Sequence, residues 1–148
     1  MTLKDRFTFG FYSGVVAGLI MNALNLISYY VLNIATLRYL DFMAIIIYGN
    51  KPMNTFDSIL ALIILLGFTG MCGVLYVYIV PLIRTQNHMF KGILFGLTIF
   101  FLTYSITFLF KVNDLMIIPP YTVASNAITA SIYGLVLAIL YKNNIRVD

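Results

Sequence analysis

The side chains able to do chemistry inside the apolar parts of this sequence are amides and hydroxyls. Asn22 and Asn25 lie in one long apolar run, and Ser125, Asn126 and Thr129 lie in another. Such groups can hydrogen-bond across helices, for about 1 kcal/mol each, or line a path for a polar solute, and we favour the first role. No acidic, basic or histidine side chain lies centrally in an apolar run, which argues against a proton-coupled transporter with an embedded carboxylate.

Reactive groups elsewhere in the sequence are isolated. The single histidine, His88, has no second histidine or cysteine near it, and the single cysteine, Cys72, cannot form an intrachain disulfide. The sequence has no nucleophile elbow, zinc-protease motif, phosphate-binding loop or dinucleotide fingerprint. We therefore expect no enzymatic activity and no cofactor or metal, with lipid-modifying chemistry near Asp41 or His88 as a remote alternative.

The composition predicts a membrane protein. Hydrophobic residues make up 61% of the 148 residues and charged residues only 9%, whereas soluble domains are about one quarter charged. The charged side chains avoid the long apolar runs, because a charge at the centre of a bilayer costs about 2.5 kcal/mol or more. The net charge of +4 is expected beside membrane spans and does not indicate nucleic-acid binding.

Four apolar segments are long enough to cross a hydrocarbon core of about 30 Å, which requires about 20 helical residues. We predict an all-α, polytopic membrane protein with a four-transmembrane-helix bundle plus one short amphipathic or re-entrant helix, forming a single membrane domain. We expect the six tyrosines near span ends to lie in the headgroup layer: Tyr29, Tyr30, Tyr76, Tyr78, Tyr121 and Tyr141. The predicted spans are residues 8 to 34, 58 to 80, 91 to 110 and 121 to 141, and the short helix is residues 37 to 48.

The distribution of Lys and Arg favours cytoplasmic termini, because positive residues concentrate in cytoplasmic loops. With four spans, the side of the termini carries Lys4, Arg6, Arg84, Lys91, Lys142 and Arg146, and the opposite side carries Arg38, Lys51 and Lys111. A fifth span at residues 37 to 48 would remove this bias. We expect a multi-pass protein of a bacterial cytoplasmic membrane with both termini cytoplasmic.

Small residues recur along one face of each span. Gly10, Gly14 and Gly18 form two overlapping GxxxG motifs, which let two helix backbones approach closely. The other predicted helix-packing residues are Gly67, Gly70, Gly92, Gly96, Ala130 and Gly134. These faces fit an intramolecular bundle, and at least one of them fits a neighbouring subunit. The expected partners are therefore the lipid bilayer and either a homo-oligomer or a membrane partner subunit.

Residues 37 to 48 are too few to cross the hydrocarbon core, since twelve helical residues span about 18 Å. On a helix, Arg38, Asp41 and Tyr48 share one face, and Gly49 supplies a stop. Arg38 and Asp41 can pair because they lie three residues apart. We interpret this segment as an outer-face helix whose Arg38 and Asp41 side reaches water or a partner, as a lid or docking element.

Three stretches carry a resemblance to a known family. They are "SNAITASIYGLVLA" (125 to 138), "KGILFG" (91 to 96) and "IIIYGNKP" (45 to 52). Together they resemble the small conserved membrane proteins of Gram-positive bacteria of the YqhR type. The resemblance implies one span, an outer amphipathic segment and three further spans, and it implies no particular activity. Because this chain has Ser125-Asn126 where that family often has Ser-His, no role for an imidazole carries over.

The function expected from these features is non-enzymatic. Packing faces without reactive groups favour a structural or accessory subunit of a membrane assembly. The alternative is an oligomeric channel, a holin-like pore or a small transporter, with the polar stripes of the first and fourth spans lining the path.

Overall fold

The computed structural model describes residues 3–84 and 87–145, and within these ranges every regular element is helical. Four helices are long and apolar enough to cross a membrane, and one short apolar helix follows the first of them. The prediction of an all-α membrane protein with a four-helix bundle and one short helix is therefore confirmed. The helices are α1 (Leu3–Tyr30), α2 (Tyr39–Tyr48), α3 (Thr55–Ile79), α4 (His88–Leu109) and α5 (Pro120–Ile145).

Polar residues, rather than the limits of the apolar runs, mark the helix ends. α1 ends at Tyr30, before the predicted residue 34, and among the residues that follow is the polar Asn33, in a left-handed conformation with φ of 52°. Asparagine tolerates that conformation better than most side chains do. α3 begins before residue 58 because the side chain of Asn54 caps it, accepting a hydrogen bond from the amide of Asp57 at 2.8 Å.

A side-chain cap and a glycine delimit α2. The backbone amide of Arg38 donates to the carboxylate of Asp41 at 3.1 Å, which satisfies a donor at the start of the helix. At the other end, Gly49 has φ of 84° and its amide donates to the carbonyl of Ile45 at 3.0 Å. Glycine adopts this left-handed conformation without steric cost, so the predicted stop at Gly49 is confirmed.

α1 packs against α3 along glycines. A Cβ added at Gly10 would lie 3.0 Å from the carbonyl oxygen of Gly73, and one added at Gly14 would lie 2.8 Å from the Cα of Gly70. Gly18 continues the same contact, toward a threonine side chain of α3. Separations this short leave no room for a larger residue, so the GxxxG face of α1 is the face that contacts α3.

α4 packs against α5 in the same way. A Cβ at Gly92 would meet the carbonyl oxygen of Gly134, and one at Gly96 would lie 3.0 Å from the carbonyl carbon of Ala130. Gly67 differs, because a Cβ there would meet nothing within 4 Å. Gly67 therefore lies outside the helix contacts, contrary to its predicted packing role.

The two helix pairs are joined through α1 and α5, and contact between α3 and α4 is sparse. The bundle is therefore open on the side where α3 and α4 face each other. α2 lies against α3 at one end of the bundle, which we call the α2 end. The opposite end, which carries the first residues of α1 and the last residues of α5, is called the terminal end.

Two tyrosines near span ends are part of the core. Tyr76 is fully buried and Tyr141 nearly so, and their rings pack edge to face with centroids 6.0 Å apart. Both rings fill the space between α3 and α5 and pack against helix side chains, and the expected depth in the headgroup layer stays a prediction.

Candidate functional site

An asparagine pair joins α1 and α5 in the interior of the bundle. Nδ2 of Asn25 donates to Oδ1 of Asn126 at 2.9 Å, and the two residues are 0% and 1% exposed. Oδ1 of Asn25 also accepts a hydrogen bond from the amide of Tyr39 at 2.8 Å. Nδ2 of Asn126 donates to the hydroxyl of Tyr104 at 2.8 Å. The two buried amides thus connect α1, α2, α4 and α5. Each provides hydrogen-bond partners for polar groups that would cost free energy if they were buried unpaired.

Tyr39 fastens α2 to α5. Its hydroxyl donates to the backbone oxygen of Asn126 at 2.6 Å and lies 2.9 Å from Oγ1 of Thr129. Burial raises the pKa of the Tyr39 phenol well above its ordinary value, so the hydroxyl stays protonated and able to donate. Thr129, one of the predicted intramembrane polar residues, is therefore part of the same network.

Two hydroxyl pairs continue the network toward the α2 end. Oγ of Ser28 lies 2.7 Å from Oγ of Ser125. The amide of Thr36 donates to Oγ1 of Thr122 at 2.9 Å, and the two threonine hydroxyls lie 3.0 Å apart. The segment between α1 and α2 is thereby attached to the start of α5. We call the residues joined by these contacts the polar network: Asn25, Ser28, Thr36, Tyr39, Tyr104, Thr122, Ser125, Asn126 and Thr129.

Asn22 stands outside the polar network. Its side chain is buried, but its Oδ1 has no hydrogen-bond partner among the described residues. A buried acceptor without a partner costs free energy, of the order of 1 to 3 kcal/mol. The structure therefore brings together Asn25, Ser125, Asn126 and Thr129 of the five predicted intramembrane polar residues, and it leaves Asn22 apart.

Arg38 and Asp41 pair as predicted, with Asp41 buried and Arg38 partly exposed. Nη2 of Arg38 lies 2.6 Å from Oδ1 of Asp41, and Asp41 is only 3% exposed. The guanidinium also donates to the hydroxyl of Tyr30 at 2.8 Å and lies 5.5 Å from the ring centroid of Tyr29. The hydrogen bond to Asp41 raises the pKa of the Arg38 guanidinium.

The outward face of α2 is apolar. Its residues from Leu40 to Ile45 are buried, whereas Ile46 and Ile47 are exposed. The Arg38 and Asp41 side was expected to reach water or a partner, but Asp41 does not reach water, because the Arg38 side chain folds over it and covers it. The Arg38 side chain itself stays partly exposed. Tyr48, on the same predicted face, donates to the backbone oxygen of Asp57 at 3.1 Å and joins α2 to α3. Desolvation raises the pKa of the Tyr48 phenol.

A buried lysine binds backbone carbonyls at the terminal end. Nζ of Lys91, on α4, donates to the carbonyl oxygen of Ile83 at 2.6 Å and lies 3.5 Å from that of Val80. Carbonyls at the end of a helix lack partners within the helix, and a cation there is stabilising. Nearby, the His88 ring lies 6.4 Å from the Tyr141 ring, and its Nδ1 is buried without a partner among the described residues.

No family model matches the chain, and no curated protein or solved structure matches it either. The resemblance to the YqhR type stays a prediction. Within residues 3–84 and 87–145, no three side chains of His, Cys, Asp or Glu are grouped so as to hold a metal ion.

Four of the nine residues of the polar network were not predicted from the sequence, namely Ser28, Thr36, Tyr39 and Tyr104, and Thr122 was expected only as a member of the polar stripe of the fourth span. Tyr104 carries the one signal that indicates such a role. It lies inside α4 rather than at an end, and a tyrosine hydroxyl surrounded by apolar groups requires a partner. The hydroxyl of Thr36 carries no comparable signal, because threonine hydroxyls also bond to nearby backbone groups.

An apolar cleft lies where α3 and α4 stand apart. At the α2 end it is a groove of about 490 Å³, and deeper in the bundle it is a cavity of about 60 Å³. Met43, Phe68 and Thr103 line both spaces, so the groove and the cavity adjoin. The structure thus has two candidate sites, the polar network and the cleft.

Proposed function

We propose that the protein is a non-enzymatic accessory subunit of an assembly in a bacterial cytoplasmic membrane. The observation that carries the proposal is the outward face of α4. Only 17% of the most apolar stretch of α4 lies buried, compared with 39% in each of the other three spans. α4 packs mainly against α5. A span with one close neighbour has a free side that a second protein's span, or a second copy of this chain, can contact.

The arrangement of polar side chains supports a structural role. The amides and hydroxyls at membrane depth pair with one another between helices and so stabilise the bundle. A channel or transporter would need such groups along a path for water or solute. The alternative of an oligomeric channel therefore has less support than the accessory role.

Photocrosslinking tests the accessory role. A photoreactive amino acid at Phe101, which is 67% exposed on α4, should give a discrete protein adduct in native membranes. The matched control is Ile63, which is 61% exposed on α3 and should give lipid adducts only. Lipid adducts alone at both positions, together with a monomeric protein in mild detergent, would contradict the proposal.

Solute flux separates the accessory role from the channel. Purified protein in liposomes should conduct neither ions nor small solutes, and Asn126→Leu should leave this result unchanged. Flux that depends on the protein and falls in Asn126→Leu would favour the channel instead.

Cysteine labelling tests the proposed orientation with both termini cytoplasmic. Asp41 is unsuitable because it is buried, but Lys51 and Arg84 are exposed at opposite ends of the bundle. In a chain carrying Cys72→Ala, a membrane-impermeant maleimide should label Lys51→Cys on intact cells. It should label Arg84→Cys only after the cells are opened. The reverse pattern would invert the topology.

A further inference from the structure

We propose that the cleft between α3 and α4 binds one acyl chain of an anionic phospholipid, with the headgroup at the α2 end beside Lys111. The proposal rests on the shape, the polarity and the charge of the cleft, and it does not depend on the accessory role. It assigns the cleft to a lipid rather than to a second protein.

The length of the cleft fits a chain that lies along the membrane normal. Along α4 and the residue after it, the lining runs from Gly96 to Phe110. This is about 14 residues, or about 21 Å of helix, which is more than half of a hydrocarbon core of about 30 Å. The groove of about 490 Å³ lies within the range of roughly 300 to 1,000 Å³ that is typical of small-molecule sites.

The polar atoms of the lining are hydrogen-bonded away from the cleft. Thr103 and Thr107 donate to backbone oxygens of their own helix, at 2.7 and 2.9 Å. The hydroxyl of Tyr133 donates to the backbone oxygen of Thr69 at 2.6 Å, and the hydroxyls of Tyr39 and Tyr104 belong to the polar network. Because cavities with apolar walls stay dry and take up apolar molecules, the cleft suits hydrocarbon better than water or ions.

The walls suit a flexible chain better than another helix. The groove is lined by large side chains, among them Ile46, Ile64, Phe68 and Ile106. Helices associate in membranes through small residues that allow close approach. In this protein the small residues of α1, α4 and α5 already face partner helices within the bundle. A hydrocarbon chain can follow a wall of isoleucine and phenylalanine, and a helix cannot approach it closely.

A lysine lies at the open end of the groove. Lys111 lies two residues beyond the end of α4 and is exposed, and its neighbours Phe110 and Val112 both line the groove. Its backbone is left-handed, with φ of 51°, where the chain leaves the helix. A cationic side chain at a membrane surface attracts an anionic lipid by an amount that corresponds to about a fivefold preference.

Tryptophan fluorescence can test the proposal, because the sequence contains no tryptophan. Ile106→Trp places a reporter in the groove, and Leu109→Trp places a matched one on the same helix outside it. Both positions are exposed, so both variants should fold. In phosphatidylcholine vesicles that contain a small fraction of phosphatidylglycerol with brominated chains, the reporter at 106 should be quenched as if that lipid were enriched about fivefold. The reporter at 109 should be quenched according to the bulk lipid composition.

The headgroup assignment is tested on the same reporter. Lys111→Ala in the Ile106→Trp chain should reduce the enrichment to the bulk value, whereas Lys51→Ala, at the same end of the bundle, should leave it unchanged. Equal quenching of the reporters at 106 and 109 would overturn the proposed acyl-chain site. Weaker quenching at 106 than at 109 would show a protein segment in the cleft and would also overturn it. Enrichment that survives Lys111→Ala would overturn the role of Lys111.

Discussion

Asn126 and Asn22 allow a direct measurement of what the polar network contributes to stability. Both are buried asparagines at membrane depth, but Asn126 makes two side-chain hydrogen bonds and the oxygen of Asn22 has no partner among the described residues. Asn126→Leu removes the bonds to Asn25 and Tyr104. Since interhelical hydrogen bonds in membranes contribute about 0.6 to 1.7 kcal/mol each, the free energy of unfolding should fall by about 1 to 3 kcal/mol.

Asn22→Leu should have the opposite or no effect. The substitution replaces a buried, unpaired amide oxygen with an apolar group of similar shape, which removes a desolvation cost. The free energy of unfolding should therefore stay unchanged or rise by up to about 1 kcal/mol. The decisive result is that the two Asn→Leu substitutions change the free energy of unfolding differently. Both make the same change in side-chain size, so an effect of size alone would appear at both sites.

The assay is equilibrium unfolding in mixed micelles, with helix content followed by circular dichroism. A double-mutant cycle of Asn25→Leu and Asn126→Leu should give a coupling free energy of about 1 kcal/mol, because each single change already breaks the shared bond. If Asn22→Leu destabilises the protein as much as Asn126→Leu does, the polar network is not the source of the effect. A coupling free energy of zero would lead to the same conclusion.

The same unfolding assay checks three further predictions. Gly14→Ala should lower the free energy of unfolding by about 1 to 3 kcal/mol through overpacking against α3, whereas Gly67→Ala, with nothing within 4 Å of the new Cβ, should leave it nearly unchanged. Arg38→Met should cost roughly 3 kcal/mol because it leaves the buried Asp41 unpaired, and adding Asp41→Asn should recover part of this loss; a double variant less stable than Arg38→Met would refute the explanation. Lys91→Met should cost about 1 to 3 kcal/mol by removing the donor to the carbonyls of Val80 and Ile83, just beyond α3, and an unchanged midpoint would show that these contacts contribute nothing.

The number of spans was predictable because it depends on a length that the bilayer sets. About 20 apolar residues are needed whatever the helix contacts, and four such segments became four helices. The ends of the helices depend on local hydrogen bonds instead. The apolar run continues past Tyr30, but the chain leaves the helix there, and Asn54 starts α3 before its apolar run begins. The hydropathy of a segment indicates whether it is buried or in contact with lipid. It does not indicate where local hydrogen bonds begin or end a helix.

The orientation of α2 was predicted wrongly for a different reason. The amphipathic pattern assumes that a charged residue faces water, but Asp41 has its partner three residues away in Arg38. The ion pair removes the need for water, so the face that carries Asp41 can be buried. Tyr39, on the same short helix, bonds to Asn126, which lies 87 residues further along the chain. Neither contact can be predicted from the spacing of hydrophobic residues along the sequence, because that spacing describes the faces of a single helix and not its contacts with other side chains.

The position of α4 explains why this protein has both a polar network and a cleft. Near the terminal end, α4 is held by the close contact of Gly92 and Gly96 with α5. Near the α2 end, it is held by Tyr104, whose hydroxyl accepts a bond from Asn126 and whose ring stacks on Phe42 at 5.5 Å. These two attachments fix α4 without close packing against α3. The attachment at Tyr104 consists of an oriented hydrogen bond to α5 and a ring stack on α2. Neither contact requires α3 to lie close to α4, so the apolar cleft can exist beside them. The side chains that fasten α4 to α5 and α2 therefore also keep the cleft open to the lipid.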